Sequence, residues 1–350
     1  MLSRLPDRLA ADVIARRLQA ITARRYDLPV LSSTQGTVTV PATVSTTLPG
    51  RYGLLSRGGA LAQVGEILDV SSDRVTRELV TRTAKVAGQR MSWTGAIHAS
   101  SDQLAGTVET VDLSTEGVPC RAWVIAPREM STRWSVHMGG LGADARSSLR
   151  SAEVALAAGQ GCMVLGIHRR RRHGFGVLEV GVIRRAFSTL RDRGATSVTG
   201  FGWSFGALAM LLAHRLAPDP LMRAFVLVSP LLDWFASAAV AAAAAGIRPA
   251  VLDGAVAIAE ARNRYNVPWF RGALQLDALP WPADRPLAIP ALLLHSRGDQ
   301  TNPFETTHRF AGSHEEDVTL IELPNAPHTL EWNANEYAVT QAVSAFLRTQ

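Results

Sequence analysis

Lysine is nearly missing from this chain: Lys85 stands alone, and the other 35 basic residues are arginines. The formal net charge of +6 therefore rests on arginine. Those arginines are not interleaved with aromatics, so nucleic acid is not an expected partner. Cysteine is scarce as well. Cys120 and Cys162 lie in apolar stretches far apart in sequence, which reads as two buried free thiols and fits a reducing compartment. No metal-ligand spacing and no phosphate loop occurs, so no metal and no cofactor is expected. A long hydrophobic run is also absent; the longest, at about 234–246, is mostly alanine and too short to cross a bilayer. Residues 1–20 scatter charge without an uninterrupted apolar core, so no secretory signal is expected. Together these absences point to a soluble, cytoplasmic protein. With 47% hydrophobic and 19% charged residues the chain is neither disordered nor fibrous, and 350 residues suit one large α/β domain carrying an extension.

Two textures divide the chain near residue 105. In residues 1–105, positions 7–25 have helical apolar spacing, 37–40 and 43–47 alternate like short strands, and 52–56 and 60–70 flank a turn at Arg57-Gly58-Gly59. A helix is expected from Ser72, with Val75, Leu79 and Val80 facing inward. This extension is read as packing on the main domain; shaping substrate access or an oligomer interface is the alternative. In residues 106–350 strands and helices alternate, which specifies a mostly parallel, doubly wound sheet covered on both faces. Strands are expected at 134–137, 162–168, 198–201, 224–229, 291–295 and 318–323, and residues 231–286 have the place and apolar character of a small helical lid.

Chemistry enters at Gly202-Trp203-Ser204-Phe205-Gly206. An apolar strand leads into this G-x-S-x-G and an apolar helix leaves it, the setting in which a serine is held in strained geometry with its hydroxyl above the sheet. A serine hydroxyl needs a base, and the base an acid to orient it. His328 follows the last strand and Asp299 lies just beyond the strand before it, giving the chain order Ser204, Asp299, His328. Asp233, after the strand at 224–229, is the rival acid. His168 and His295 also stand at strand ends, as satisfied polar residues. For the oxyanion, one donor is the backbone N–H of Phe205; the second is expected from His137-Met138-Gly139-Gly140, with Gly139 first and Met138 the fallback.

These pieces resemble the α/β-hydrolase superfamily of serine hydrolases, over residues from about 109 to the end. The resemblance is carried by His137-Met-Gly-Gly, Gly-Trp-Ser204-Phe-Gly, Ser229-Pro-Leu-Leu-Asp-Trp234, His295-Ser-Arg-Gly-Asp299 and Pro327-His-Thr-Leu-Glu-Trp-Asn333. It looks closest to bacterial dienelactone-hydrolase-like and prolyl-oligopeptidase-like enzymes, and Gly50-Arg-Tyr-Gly-Leu54 with Val64-Gly65 resembles an extension that some of them carry. The pattern departs at Met138, where glycine is usual, and at His168-Arg-Arg-Arg-Arg-His173, where a tyrosine-arginine-polar sequence is usual. The resemblance implies an α/β-hydrolase fold and an acyl-enzyme mechanism on a small-molecule substrate, with a carboxylic ester favoured. A peptidase or amidase, an acyltransferase and a non-catalytic binding protein are the alternatives. Arg169–Arg172 read as a solvated loop, or else as a site for an anionic substrate group. Trp234, Phe235, Trp269, Phe270 and Trp281 are candidates for an acyl pocket or for ordinary lid packing. Oligomeric state is not legible.

Overall fold

Short stretches of β-branched and polar residues in the first hundred positions form strands that pair only with one another. The computed structural model describes residues 6–21, 24–81, 85–167 and 173–350. Helix α1 (Asp7–Leu18) is followed by β1 (Leu28–Pro29), β2 (Ser32–Ser33), β3 (Thr37–Pro41), β4 (Tyr52–Leu55), β5 (Leu61–Val70), β6 (Arg74–Leu79) and β7 (Arg90–Thr94). These make an antiparallel sheet in the order β1-β7-β4-β5-β6-β3-β2. The turn at Gly58-Gly59 joins β4 to β5 as a hairpin. Helix α1 is shorter than its apolar spacing suggested: beyond Leu18 the chain leaves the helix so that Gln19 can bond Asn263 and His173.

Two expectations fail here, each for a local reason. The helix expected from Ser72 is strand β6. Its buried positions are Val75, Arg77 and Leu79, a period of two hidden by the arginine in the middle. Residues 43–47 form a turn instead of a strand, because their hydroxyls bond the backbone: Thr46 Oγ1 donates to Pro41 O at 2.7 Å and accepts from Thr43 N at 2.8 Å.

Arg77 is fully buried and organises this turn. Its guanidinium donates to the carbonyls of Gly65 (2.9 Å), Thr46 (2.9 Å), Leu48 (2.7 Å) and Gly50 (2.5 Å), beside the rings of Tyr52 and Trp93. Removing it strands those carbonyls. Arg77→Met is expected to cost about 4 kcal/mol or more, since each of the four buried acceptors that loses a charged donor costs roughly 1–3 kcal/mol; thermal unfolding of the full chain measures it.

The larger sheet begins with the hairpin β8 (Thr107–Asp112) and β9 (Cys120–Ala126), then β10 (Arg133–Met138), α2 (Leu149–Ala157), β11 (Gly161–Ile167), α3 (Glu179–Asp192), β12 (Ser197–Trp203), α4 (Phe205–Leu216) and β13 (Met222–Val228). Residues 231–286 hold α5 (Trp234–Ala244), α6 (Pro249–Arg262) and a hairpin, β14 (Arg264–Val267) with β15 (Phe270–Ala273). The chain closes with β16 (Ala291–Ser296), α7 (Phe304–Ser313), β17 (Val318–Leu323), α8 (Glu331–Ala334) and α9 (Glu336–Arg348). Eight strands lie in the order β17-β16-β13-β12-β10-β11-β9-β8, all parallel except at β8 and β9. Helices α2 and α9 cover one face and α3 and α4 the other, so both faces of the central strands are apolar, as their uninterrupted burial requires. The chain runs from β10 to one side, then returns to β12 on the other, which opens a crevice at their C-terminal ends. Among the described residues no helix is long and apolar enough to cross a membrane. His168 and Arg169–Arg172 lie outside the described residues.

The two sheets are stitched together around the loop after β17. Asn333 Nδ2 donates to Arg51 O (2.7 Å) and Gly95 O (3.1 Å), Arg51 pairs with Glu336, and Arg150 donates to the side chain of Asn333 and to Thr329 O (3.0 Å). Gly50, at φ +96°, packs so closely that a Cβ there would sit 1.9 Å from Asn333 O. On the far side, α1 buries Ala10, Ala11, Ile14 and Ala15 in the core that includes Val251, Ala255 and Ala259 of α6, flanked by the ion pairs Asp7–Arg248 and Asp12–Arg262.

Candidate active site

Strand β12 delivers Ser204 into the turn before α4 at φ 51° and ψ −115°, a left-handed conformation that few non-glycine residues adopt. Two glycines make that turn fit. A Cβ at Gly202 would lie 2.5 Å from Ala207 Cα, and one at Gly206 2.2 Å from Met138 O. The backbone is fixed on both sides: Ser204 N donates to Val228 O (3.0 Å) and Leu231 N to Ser204 O (3.1 Å).

Strands β16 and β17 bring the partners. His328 Nε2 lies 2.9 Å from Ser204 Oγ, and His328 Nδ1 lies 2.6 Å from Asp299 Oδ2. Burial pushes the Asp299 carboxyl up, but hydrogen bonds from His295 and His328, with the backbone N–H of Asn302, hold it well below the usual carboxylate range. It is therefore an anion in the folded protein. His295 spans Thr307 Oγ1 (2.8 Å) and Asp299 Oδ2 (3.1 Å); because a carboxylate only accepts, Nε2–H of His295 donates to it. Backbone N–H groups of Thr301 (2.7 Å) and Asn302 (3.0 Å) donate to the other oxygen, Oδ1. Asp233, the rival acid, is occupied elsewhere: it caps α5, accepting from Ala236 N at 3.0 Å.

The loop after β10 passes over Ser204. A Cβ at Gly140 would lie 3.4 Å from Ser204 Cβ, while one at Gly139 would face Ala143 at 3.1 Å, so Gly140 is the glycine beside the serine. Phe205 opens α4, where the first backbone N–H groups have no intrahelical acceptor. His137 is structural: it is fully buried between Ser135 and Ser151 (2.8 Å each), and burial lowers its pKa to about 3, so it stays neutral.

Ser204 opens into a cleft of about 1010 Å³. Its walls are the loops after β10, β16 and β17 and, from the first sheet, Val44, Ser45, Trp93, Thr94 and Gly95. Among the described residues no side chain of 231–286 lines it. Three of its aromatics have other partners: Trp234 stacks on His173 (5.0 Å between centroids) and meets Phe205 edge-on, Trp269 donates to Val177 O, and Trp281 stacks on His214. Trp332 is buried against Trp203. The sequence carried no local sign that the first sheet forms a wall, since the contacts join residues far apart in the chain. Asn302 was missed too, although its place three residues after Asp299 in the same loop was visible; its amide lies 3.4 Å from Ser204 Oγ.

Comparison with solved structures bears on the larger sheet. An esterase from Pyrococcus furiosus, Pf2001, superposes with a TM-score of 0.54 at 15% identity, covering 71% of this chain and 95% of its own. Est1E from Butyrivibrio proteoclasticus gives 0.51 at 15% identity over 70% of this chain and 98% of its own. A mouse protein named alpha/beta hydrolase domain-containing protein 10 gives 0.50 at 14%, over 69% and 99%. The fold is that of the α/β hydrolases. Residues 29–94 match a separate family described as a domain of unknown function, DUF8805. The family model covers residues 29–94, and Val44, Ser45, Trp93 and Thr94 of that segment line one wall of the cleft.

Proposed function

We propose that this protein is a serine hydrolase that cleaves a carboxylic ester of a small molecule. The observation that carries the reading is His328, bonded to Ser204 Oγ at 2.9 Å and to Asp299 at 2.6 Å. In the proposed reaction Ser204 attacks the ester carbonyl while its proton passes to His328 Nε2, and the buried Asp299 anion holds the Nδ1–H tautomer. Backbone N–H groups of Phe205 and Gly139 receive the oxyanion, with Gly140 closing the same loop over the serine. The alcohol leaves with the proton, and water then releases the acid from the acyl-enzyme. No cofactor takes part in this scheme. The esterase among the structural neighbours supports the choice of bond. The finer likeness to bacterial dienelactone-hydrolase-like and prolyl-oligopeptidase-like enzymes, and a cytoplasmic location, belong to this proposal on the sequence alone.

A fluorophosphonate probe tests it, followed by a chain-length series of acyl esters. The expected adduct maps to Ser204 in folded protein. An adduct on another serine, or none, would sink the reading.

A further inference from the structure

Among the described residues, two groups lie within hydrogen-bonding distance of Ser204 Oγ: His328 Nε2 and, at 3.4 Å, the side-chain nitrogen of Asn302. Asn302 is 2% exposed, and its amide orientation is set by its neighbours. Nδ2 lies 2.8 Å from Ser229 O, which can only accept, and Oδ1 lies 3.0 Å from the Ser237 hydroxyl of α5. The nitrogen therefore faces the nucleophile as a donor. The same residue's backbone N–H holds Asp299 at 3.0 Å, so one residue touches both ends of the Ser204–His328–Asp299 chain.

A serine hydroxyl has one proton and two lone pairs. A group that can only donate occupies a lone pair and leaves the proton to the acceptor in reach, His328 Nε2. We propose that Asn302 is a further catalytic residue whose side-chain N–H holds Ser204 Oγ through both halves of the reaction; this rests on the serine-hydrolase reading above. Asn302 exchanges no proton. In acylation the Oγ–C bond forms and the Oγ proton passes to His328 and then to the departing alcohol. In deacylation water gives a proton to His328 as its oxygen bonds the acyl carbon; the C–Oγ bond then breaks, its electron pair goes to Oγ, and Oγ takes the proton from His328. Negative charge gathers on Oγ in that last step, where a fixed donor helps most. During attack the same donor draws density from the nucleophile while ordering it, and the two effects oppose each other. Loss of the donor therefore slows deacylation more than acylation.

The test uses p-nitrophenyl butyrate with the full chain. Asn302→Val is expected to lower kcat and KM together by about tenfold, the loss of one hydrogen bond, with kcat/KM unchanged and a burst of one equivalent of p-nitrophenol. Unchanged constants, or a fall in kcat/KM at constant KM, would overturn the proposal. Should Asn302→Val not fold, Asn302→Asp keeps the shape and the Ser237 bond but replaces the donor with an acceptor. Release of the butyryl-enzyme formed on Ser204 is then expected to slow, and release at the wild-type rate would overturn the proposal. Wild-type protein that neither turns over the ester nor takes the phosphonate on Ser204 removes the hydrolase reading itself.

Discussion

Asp299→Asn is expected to leave a folded protein whose kcat has fallen by about 10⁴-fold, the loss seen when a triad carboxylate no longer fixes the imidazole tautomer. The size follows from the surroundings. Asp299 is buried and ionised, and one of its oxygens accepts from both His328 (2.6 Å) and His295 (3.1 Å). An amide at this position can present its NH₂ to His328 Nδ1 and so turn the histidine's proton toward Ser204, where a base is needed. Asp233→Asn is the control. Its carboxylate caps α5 through Ala236 N, and an asparagine oxygen caps a helix nearly as well, so turnover should barely change. Steady-state kinetics on the two variants, with circular dichroism to show that both fold, decides between the acids. The reverse outcome would move the acid to the loop after β13.

Ser204→Ala is expected to lose more, about 10⁶-fold in kcat, because no covalent intermediate can form. The residual rate should rise above that in water by about 10³-fold or more, the share left to binding and the oxyanion donors. In that background Asp299→Asn should cost almost nothing further, since members of one catalytic unit are not additive. If the double variant is slower than Ser204→Ala by the full single-variant factor, the two residues act independently and the proposed relay is wrong.

The sequence made much of this architecture readable, and its failures have physical causes. The larger sheet was legible because buried parallel strands are continuous apolar runs, as in Leu292, Leu293 and Leu294, set between amphipathic helices. Ser204, Asp299 and His328 were legible because each follows a strand of that sheet, and they are the three residues that the geometry brings together. Strand β6 was misread because Arg77 occupies a core position, where composition suggests solvent. The turn at 43–47 was misread because threonine hydroxyls serve a turn as well as a strand. The shape of the cleft was not legible at all. Trp93 and His328 both line it, yet nothing near either residue in the chain encodes the other.

The stitching around Asn333 bears on where the smallest working unit ends. The loop that carries His328 leans on carbonyls of Arg51 and Gly95, and on Arg150, which itself touches Gly95 O. Cutting the chain at residue 105 would keep Ser204, Asp299 and His328 but remove the Arg51 and Gly95 carbonyls that hold Asn333 and bare the face beneath Gly50. Residues 1–105 thus brace the segment that carries His328 and also form a wall of the cleft.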